Sequence, residues 1–171
     1  MDQLIDFINW FIKYFAVPMA TNASPLLIRG KYCIDFNKLF IDNKPLFGSN
    51  KTWDGFIIGI YMGFSVSIVI SIYFNELSYL VIGLGSSIFA LIGDLIGSFI
   101  KRRLGIPSGG LLPILDQLDF IIFVSIYYIL INIVEFYSKP LYIMISCIIV
   151  LILHVLTNNV AYYLGVKDKR W

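Results

Sequence analysis

Long stretches without charged residues constrain the fold of this chain more than any other feature. A helix needs about 20 apolar residues to cross the hydrocarbon core of a bilayer. Residues 55–75 carry no charge, and residues 77–100 are interrupted by a single acid. Two further apolar stretches follow at 120–134 and 140–166, and a less apolar one occupies 4–28. This pattern predicts an all-α protein, a polytopic transmembrane helical bundle of about five spans.

Composition and length limit what else the chain can contain. Hydrophobic residues make up 58% of it, charged residues 14%, and the mean hydropathy is +0.82, whereas soluble domains have about 25% charged residues. The 171 residues leave room for spans and short connections, so we expect a single transmembrane domain over 1–171. A net charge of +2 does not favour nucleic acid as a partner. Cys33 and Cys147 lie far apart in unlike settings, which predicts two free thiols.

The lysines and arginines predict the orientation. Five lie between residues 29 and 51, three at 101–103 and three between 167 and 170. Because cytoplasmic loops carry an excess of these residues, we expect both long connections and the C-terminus in the cytoplasm and the N-terminus outside. The protein is therefore predicted to act at the cytoplasmic face of the cell membrane.

Asp94 is the first residue that topology does not explain. A carboxylate within a span costs about 2.5–3.5 kcal/mol on insertion scales, which suggests a function. Ser98 and Lys101 follow at positions that share its helix face. Gly93 and Gly97 would let a neighbouring helix approach closely beside it. The alternative is a simple charge pair between Asp94 and Lys101.

Asp116 and Asp119 form a second acidic feature where the fourth apolar stretch begins. Carboxylates three residues apart lie on one side of a helix, and their mutual repulsion calls for a positive partner. Hard oxygen ligands of this kind suit Mg²⁺, particularly when substrate phosphates complete its shell. The alternative is that both acids only stabilise the positive end of a helix.

Two polar segments carry groups that suit phosphate. Residues 104–110 contain three glycines, which free the backbone to present N–H groups to an anion. Residues 48–55 bring Asn50, Lys51 and Thr52 together before an apolar stretch, and helix N-termini favour phosphate. The alternative for this second segment is a capped helix with an interfacial Trp53.

Together these motifs resemble a known signature. Segments 93–103, 109–110 and 115–119 are similar, in order and spacing, to the signature of the integral membrane cytidylyltransferases. The Asp-Gln-Leu-Asp form of 116–119 resembles the archaeal branch, the CDP-archaeol synthases, in that Gln117 stands where the bacterial and eukaryotic enzymes usually have arginine. Three other features resemble this branch as well: segment 48–55, Asn22 with Pro25, and His154 with Asn158. The resemblance spans nearly the whole chain.

The resemblance implies an enzyme that transfers a cytidylyl group from CTP to a lipid phosphate. The acceptor would be 2,3-bis-O-geranylgeranylglycerol 1-phosphate, an unsaturated archaeal ether lipid, and the products CDP-archaeol and pyrophosphate. The family needs a divalent metal, normally Mg²⁺. The expected partners are therefore CTP, an isoprenoid ether-lipid phosphate and the bilayer.

The resemblance also implies roles for individual residues. The catalytic residues would be Asp94, Lys101, Asp116 and Asp119, and the three acids would hold the metal. The nucleotide and its phosphates would be bound by Asn50, Lys51, Thr52, Ser98, Arg102 and Gly110. His154 is left out of this set, because a lone histidine on an apolar helix is more often a packing residue.

Two other functions stay open at this stage. A CTP-dependent polyprenol kinase would use similar residues but transfer the γ-phosphoryl group. A small transporter could use Asp94 as an ion site, although it leaves the other acids without a role. A CDP-alcohol phosphotransferase is disfavoured, because its longer acidic motif is absent from the sequence.

Overall fold

The computed structural model describes residues 2–110, 112, 114–163 and 165. Its helices are α1 (Asp2–Ala23), a 3₁₀ helix (Ser24–Leu27), α2 (Trp53–Phe74), α3 (Ser78–Arg103), α4 (Leu115–Leu130), the short α5 (Val134–Tyr137) and α6 (Pro140–Tyr163). In the described part of the chain the only β pairing consists of two isolated bridges, Cys33–Thr52 and Leu39–Pro45. The prediction of an all-α protein is confirmed.

Among the described residues, three helices are long and apolar enough to cross a membrane. They are α2, α3 and the Pro140–Val160 part of α6. Apolar side chains on these helices face outward, for example Ile72 at 75% exposure and Val81 at 73%, as expected of surfaces in contact with lipid. Of the remaining predicted spans, α1 carries charged residues at both Asp6 and Lys13, and α4 has only 16 residues.

Several predicted boundaries can be compared with the helices. The fourth apolar stretch was expected to end at residue 134, which is wrong: α4 ends at Leu130. Asn132 then adopts a left-handed conformation (φ 57°), which breaks the helix before α5. The basic residues at 167–170 and the end of the stretch 140–166 lie outside the described residues.

Small residues let α2 pack closely against its neighbours. A buried stripe follows one face of α2 at every fourth position: Gly55, Gly59, Gly63, Ser67 and Ser71. A Cβ at Gly63 would overlap the hydroxyls of both Thr21 and Ser87, which hydrogen-bond to each other at 3.0 Å. In a membrane, where lipid is as apolar as leucine, such small residues favour helix association through close packing.

The crossing of α3 and α4 positions the acidic residues. A Cβ at Gly93 would lie 2.7 Å from the backbone oxygen of Asp119 and 2.9 Å from Cα of Phe120, and one at Gly97 would overlap the Asp119 carboxylate. The prediction that Gly93 and Gly97 admit a neighbouring helix is therefore confirmed. The neighbour is the acidic first turn of α4.

An aromatic core joins α1 to α4, α5 and α6. Its buried members include Trp10, Tyr14, Phe120, Tyr128 and Phe136. A polar contact fixes the edge of this core, because Lys13 and Tyr14 both donate hydrogen bonds to Glu135 of α5. These contacts hold the first half of α1, which leaves its last turn to line the cavity described next.

Candidate active site

A polar cavity of about 260 Å³ lies where the last turn of α1, the end of α3, the start of α4 and the end of α6 meet the two long connections. We call it the reaction cavity. It contains every predicted site residue except Thr52 and Asp119: it is lined by Asn50, Lys51, Asp94, Ser98, Lys101, Arg102, Gly110 and Asp116. Asn22, Pro25, His154 and Asn158, which carried part of the resemblance, also line it.

Asp94 is paired with Lys51 across the cavity. The Lys51 Nζ lies 2.6 Å from Oδ1 and 2.5 Å from Oδ2 of Asp94, and each side chain is about a quarter exposed. The predicted helix face is confirmed, since Ser98 and Lys101 line the same cavity. The alternative of an Asp94–Lys101 pair is wrong, because Lys101 has a different partner.

That partner is Asp116. The Lys101 Nζ lies 2.8 Å from Asp116 Oδ1, with both side chains largely buried, and it also donates to the Gly110 carbonyl at 3.4 Å. The Asp116 Oδ2 accepts a hydrogen bond from Leu112 N at 3.0 Å. The cavity thus holds three cations, Lys51, Lys101 and Arg102, and two carboxylates, Asp94 and Asp116. Bound phosphates would find cations whose charge these acids offset only in part.

The two arginines of the triplet 101–103 point to different places. Arg102 is 5% exposed, and its Nε has no hydrogen-bond partner in the described part of the chain. Arg103 turns away to Asp42 at 3.0 Å and lies between the rings of Phe40 and Phe99. A buried donor without a partner is costly. The Nε of Arg103 is also buried without a hydrogen-bond partner among the described residues, but of the two arginines Arg102 lines the reaction cavity, so Arg102 is the arginine that an anion bound there would satisfy.

Asp119 lies behind the cavity wall and does not line it. Its carboxylate is 5% exposed, packs against the Gly97 backbone and accepts a hydrogen bond from Phe120 N at 2.6 Å. It is close enough to Asp94 for the two negative charges to repel. Among the described residues no cation pairs with it, and a buried carboxylate in that state is costly.

Thr52 serves as the N-cap of α2. Its hydroxyl accepts a hydrogen bond from Gly55 N at 3.2 Å, and Trp53 beside it is 41% exposed. The alternative interpretation of this segment, a capped helix with an exposed tryptophan, therefore describes Thr52. Asn50 and Lys51, by contrast, reach the reaction cavity.

Asp35 is a residue that the sequence argument missed. It is 5% exposed, and its Oδ2 accepts hydrogen bonds from Phe47 N at 3.0 Å and Gly48 N at 3.1 Å. It thereby fixes the connection that delivers Asn50 and Lys51. The faint sequence signal was the Asp-Phe-Asn turn at 35–37, since aspartate often bonds to the backbone two residues on, as it does here to Asn37 N.

The carboxylates near the reaction cavity meet only part of what a hard cation such as Mg²⁺ needs. Among the described residues, no three histidine, cysteine or acidic side chains are grouped closely enough to hold a metal ion. Mg²⁺ however needs only one or two carboxylates when waters and substrate phosphates complete its shell. Asp94 and Asp116, which both line the reaction cavity, meet that smaller requirement.

The apolar helices of spanning length define an integral membrane protein. Its reaction cavity holds carboxylates, lysines and a buried arginine whose Nε is unpartnered among the described residues, so the site is suited to phosphate groups. Comparison with known proteins makes this assignment more specific. The CarS-like family model, described as CDP-archaeol synthase, matches residues 4–171. The chain belongs to this family.

Individual relatives agree. A CDP-archaeol synthase of Staphylothermus marinus is 62% identical over 165 residues, covering 96% of this chain and 94% of its own. One from Saccharolobus islandicus is 39% identical over 171 residues and 100% of both chains. A solved structure described as an intramembrane enzyme for archaeal membrane lipids biosynthesis is similar with a TM-score of 0.77 and 29% identity, over 86% of this chain and 91% of that one.

These matches confirm the predicted family, and with it a membrane enzyme of the cytidylyltransferase class that acts in lipid synthesis. They favour that function over the polyprenol kinase and the transporter. The roles of individual residues stay predictions.

Proposed function

We propose that the protein transfers the cytidylyl group of CTP to the phosphate of 2,3-bis-O-geranylgeranylglycerol 1-phosphate and releases pyrophosphate. The observation that carries this proposal is the reaction cavity, which collects three cations and two carboxylates, Lys51, Lys101, Arg102, Asp94 and Asp116, in a protein of this family. A site with both signs of charge can bind phosphates and hold a cation that neutralises them.

The reaction needs little chemistry from the protein. An oxygen of the lipid phosphate attacks the α-phosphorus of CTP, the bond from that phosphorus to the bridging oxygen breaks, and the electrons leave with pyrophosphate. No protein nucleophile is required, so catalysis consists of positioning and charge neutralisation. In our proposal Lys51, Lys101 and Arg102 bind phosphate oxygens, Asn50 and Ser98 orient the nucleotide, and Gly110 shapes the wall. Thr52 contributes by capping α2 and so fixing Lys51.

We propose Mg²⁺ as the cofactor, with Asp94 and Asp116 as its first protein ligands. When bound, the metal would neutralise charge that develops on the phosphate oxygens. Asp119 is the third proposed ligand; because it does not line the reaction cavity, its side chain would have to turn toward Asp94 to reach the metal. Its support is the buried carboxylate beside Asp94, whose electrostatic cost a nearby cation would lower.

The lipid would approach from the side of α1 and α6. A smaller, mainly apolar cavity of about 90 Å³ lies between α1, α4 and α6; we call it the apolar cavity. It shares four lining residues with the reaction cavity: Asn22, Leu26, His154 and Asn158. An isoprenoid lipid whose phosphate entered the reaction cavity here would keep its chains among apolar side chains.

The proposed topology follows the charge distribution. Five spans, an external N-terminus and a single domain place both long connections and the reaction cavity at the cytoplasmic face, where CTP is available. Supporting this, the described lysines and arginines near the cavity all belong to the connections or to the end of α3.

Labelled CTP tests the reaction. Purified protein, lipid phosphate and Mg²⁺ are incubated with CTP labelled at either the α- or the γ-phosphorus. Cytidylyl transfer puts the α-label in the lipid product and the γ-label in pyrophosphate. Lipid that carries the γ-label instead would identify a kinase and refute the proposal.

A further inference from the structure

The first long connection folds into a short hairpin beside the basic end of α3. Leu39 and Pro45 form an isolated antiparallel bridge, and Phe40 N donates a hydrogen bond to the Lys44 carbonyl at 2.8 Å. We call residues 38–45 the connection hairpin. Its tip is Ile41, which at 90% is the most exposed large apolar side chain of the described residues. One exposed isoleucine is ordinary on a protein surface, so its meaning depends on where the hairpin lies.

Arg103 holds the connection hairpin against the last turn of α3. Its guanidinium lies between the rings of Phe40 and Phe99, 4.8 and 4.7 Å from their centroids, and its Nη1 lies 3.0 Å from Asp42 Oδ1. In return, the Lys44 ammonium donates a hydrogen bond to the Arg103 carbonyl at 3.0 Å. These contacts neutralise Asp42, the acid of the hairpin, and keep the hairpin at the side of the helix.

That side of α3 carries its lipid-facing side chains. Val81 and Ile88 are 73% and 39% exposed. They share a helix face with Phe99, since about two turns separate the first pair and about three turns the second. Phe99 follows Val81 by about five turns, or about 27 Å, and the hydrocarbon core of a bilayer is about 30 Å thick. A helix that exposes Val81 to lipid therefore brings Phe99, with the connection hairpin beside it, to the opposite edge of the hydrocarbon.

The rest of the first connection carries groups that suit the same depth. Arg29, Lys31 and Lys38 are exposed, and among the described residues none of them forms an ion pair. Basic residues beside a membrane gain about 1 kcal/mol each at an anionic lipid surface. Tyr32 and Trp53, 69% and 41% exposed, are joined by a hydrogen bond from Trp53 N to the Tyr32 carbonyl at 2.9 Å. Such aromatic side chains concentrate at the headgroup level, so charge and aromatic content both favour a lipid surface.

We propose that the connection hairpin is a bilayer-binding surface: Ile41 enters the headgroup layer beside α3, and Lys38 lies on anionic lipid headgroups. The partner is the lipid surface of the protein's own membrane, because the hairpin continues the lipid-facing side of a helix of spanning length. This contact holds the first connection, which also carries Asn50 and Lys51, at the membrane surface. The proposal is independent of the reaction and of the metal.

Spin-label accessibility in vesicles tests this proposal. The label is attached at Ile41→Cys in a chain whose native cysteines are replaced by Cys33→Ser and Cys147→Ser. Val69→Cys, 64% exposed on α2, is the lipid reference, and Ser49→Cys, exposed in the same connection, is the water reference. Collisions of the label with oxygen, which concentrates in lipid, and with a water-soluble nickel chelate are measured. In vesicles of phosphatidylcholine and anionic phosphatidylglycerol, the label at Ile41 should meet more oxygen and less nickel than the water reference.

The contribution of charge is measured in the same vesicles. Lys38→Gln should lower the ratio of immersed to water-exposed label at Ile41 about fivefold, which corresponds to the loss of about 1 kcal/mol for one lysine at an anionic surface. Lys38→Arg should restore the ratio. Lys139→Gln is the matched control, because Lys139 bonds to Asp6 near the start of α1, away from the hairpin.

Three results would count against the proposal. A label at Ile41 that meets as much nickel as the water reference would overturn it, because the hairpin would then lie in water. Protection from both reagents would also overturn it, since the tip would then be buried against a second copy of the chain. An immersed label whose fraction does not respond to Lys38→Gln would refute the role of the lysine. Because both side chains are exposed, these substitutions remove no internal packing.

Discussion

Substitution of Gly97 by alanine tests how the α3–α4 crossing positions Asp119. The added methyl group would overlap Asp119 Oδ2 and lie 3.1 Å from its Cγ. The carboxylate must therefore move by roughly 1 Å, and a displacement of that size at a catalytic group can cost about 100-fold in rate. We expect Gly97→Ala to lower kcat by about that factor. Because the obstacle is a side chain that can rotate, the thermal unfolding temperature should change little.

Gly93→Ala separates this effect from general overpacking. Its added methyl would lie 2.7 Å from the backbone oxygen of Asp119, and a backbone cannot rotate aside, so α3 and α4 must separate. Overpacking of that kind costs about 1–3 kcal/mol, which should appear as a lower unfolding temperature in detergent. Ser65→Ala, on a half-buried position of α2, is the control for both. A Gly97→Ala protein with wild-type kcat would refute the role of Asp119 in the site.

Three further predictions concern other parts of the molecule. Asp94→Asn should fold normally yet lose at least about 100-fold in turnover in steady-state assays, since it removes both a proposed metal ligand and the partner of Lys51; near-normal turnover would exclude Asp94 from the site. Lys13→Ala should leave turnover unchanged but lower the unfolding temperature by about 2–4 °C, because Lys13 bonds to Glu135 far from the cavity; a selective loss of turnover would contradict this. Chelation with EDTA should abolish turnover and added Mg²⁺ should restore it, whereas activity that survives chelation would remove the metal from the mechanism.

The helix faces could be predicted from sequence because they depend on local periodicity. Asp94, Ser98 and Lys101 share one face by spacing alone, and the close approach at Gly93 and Gly97 follows from their lack of side chains. These features needed no knowledge of distant contacts, and the structure has them as expected.

The pairing of charges could not be predicted in this way. Asp94 is paired with Lys51, which is 43 residues away, because the connection over 28–52 folds back on itself. The hydrogen bonds that Asp35 accepts from the backbone of this connection hold it in that shape. The spacing of Asp116 and Asp119 also predicted that both carboxylates lie on the same side of the helix and share one site. Residues three apart differ by about 60° around a helix, which is enough for one carboxylate to line the cavity and the other to pack behind Gly97.

The central claim is that CTP phosphates and a divalent metal meet in the reaction cavity. Crystals grown with CTP and Mn²⁺ in place of Mg²⁺ would test it most directly, because anomalous scattering locates manganese without reference to the model. We predict an anomalous peak beside the carboxylates of Asp94 and Asp116, with the phosphate density next to Lys51, Lys101 and Arg102. A manganese peak outside this cavity, with CTP density elsewhere, would contradict the account.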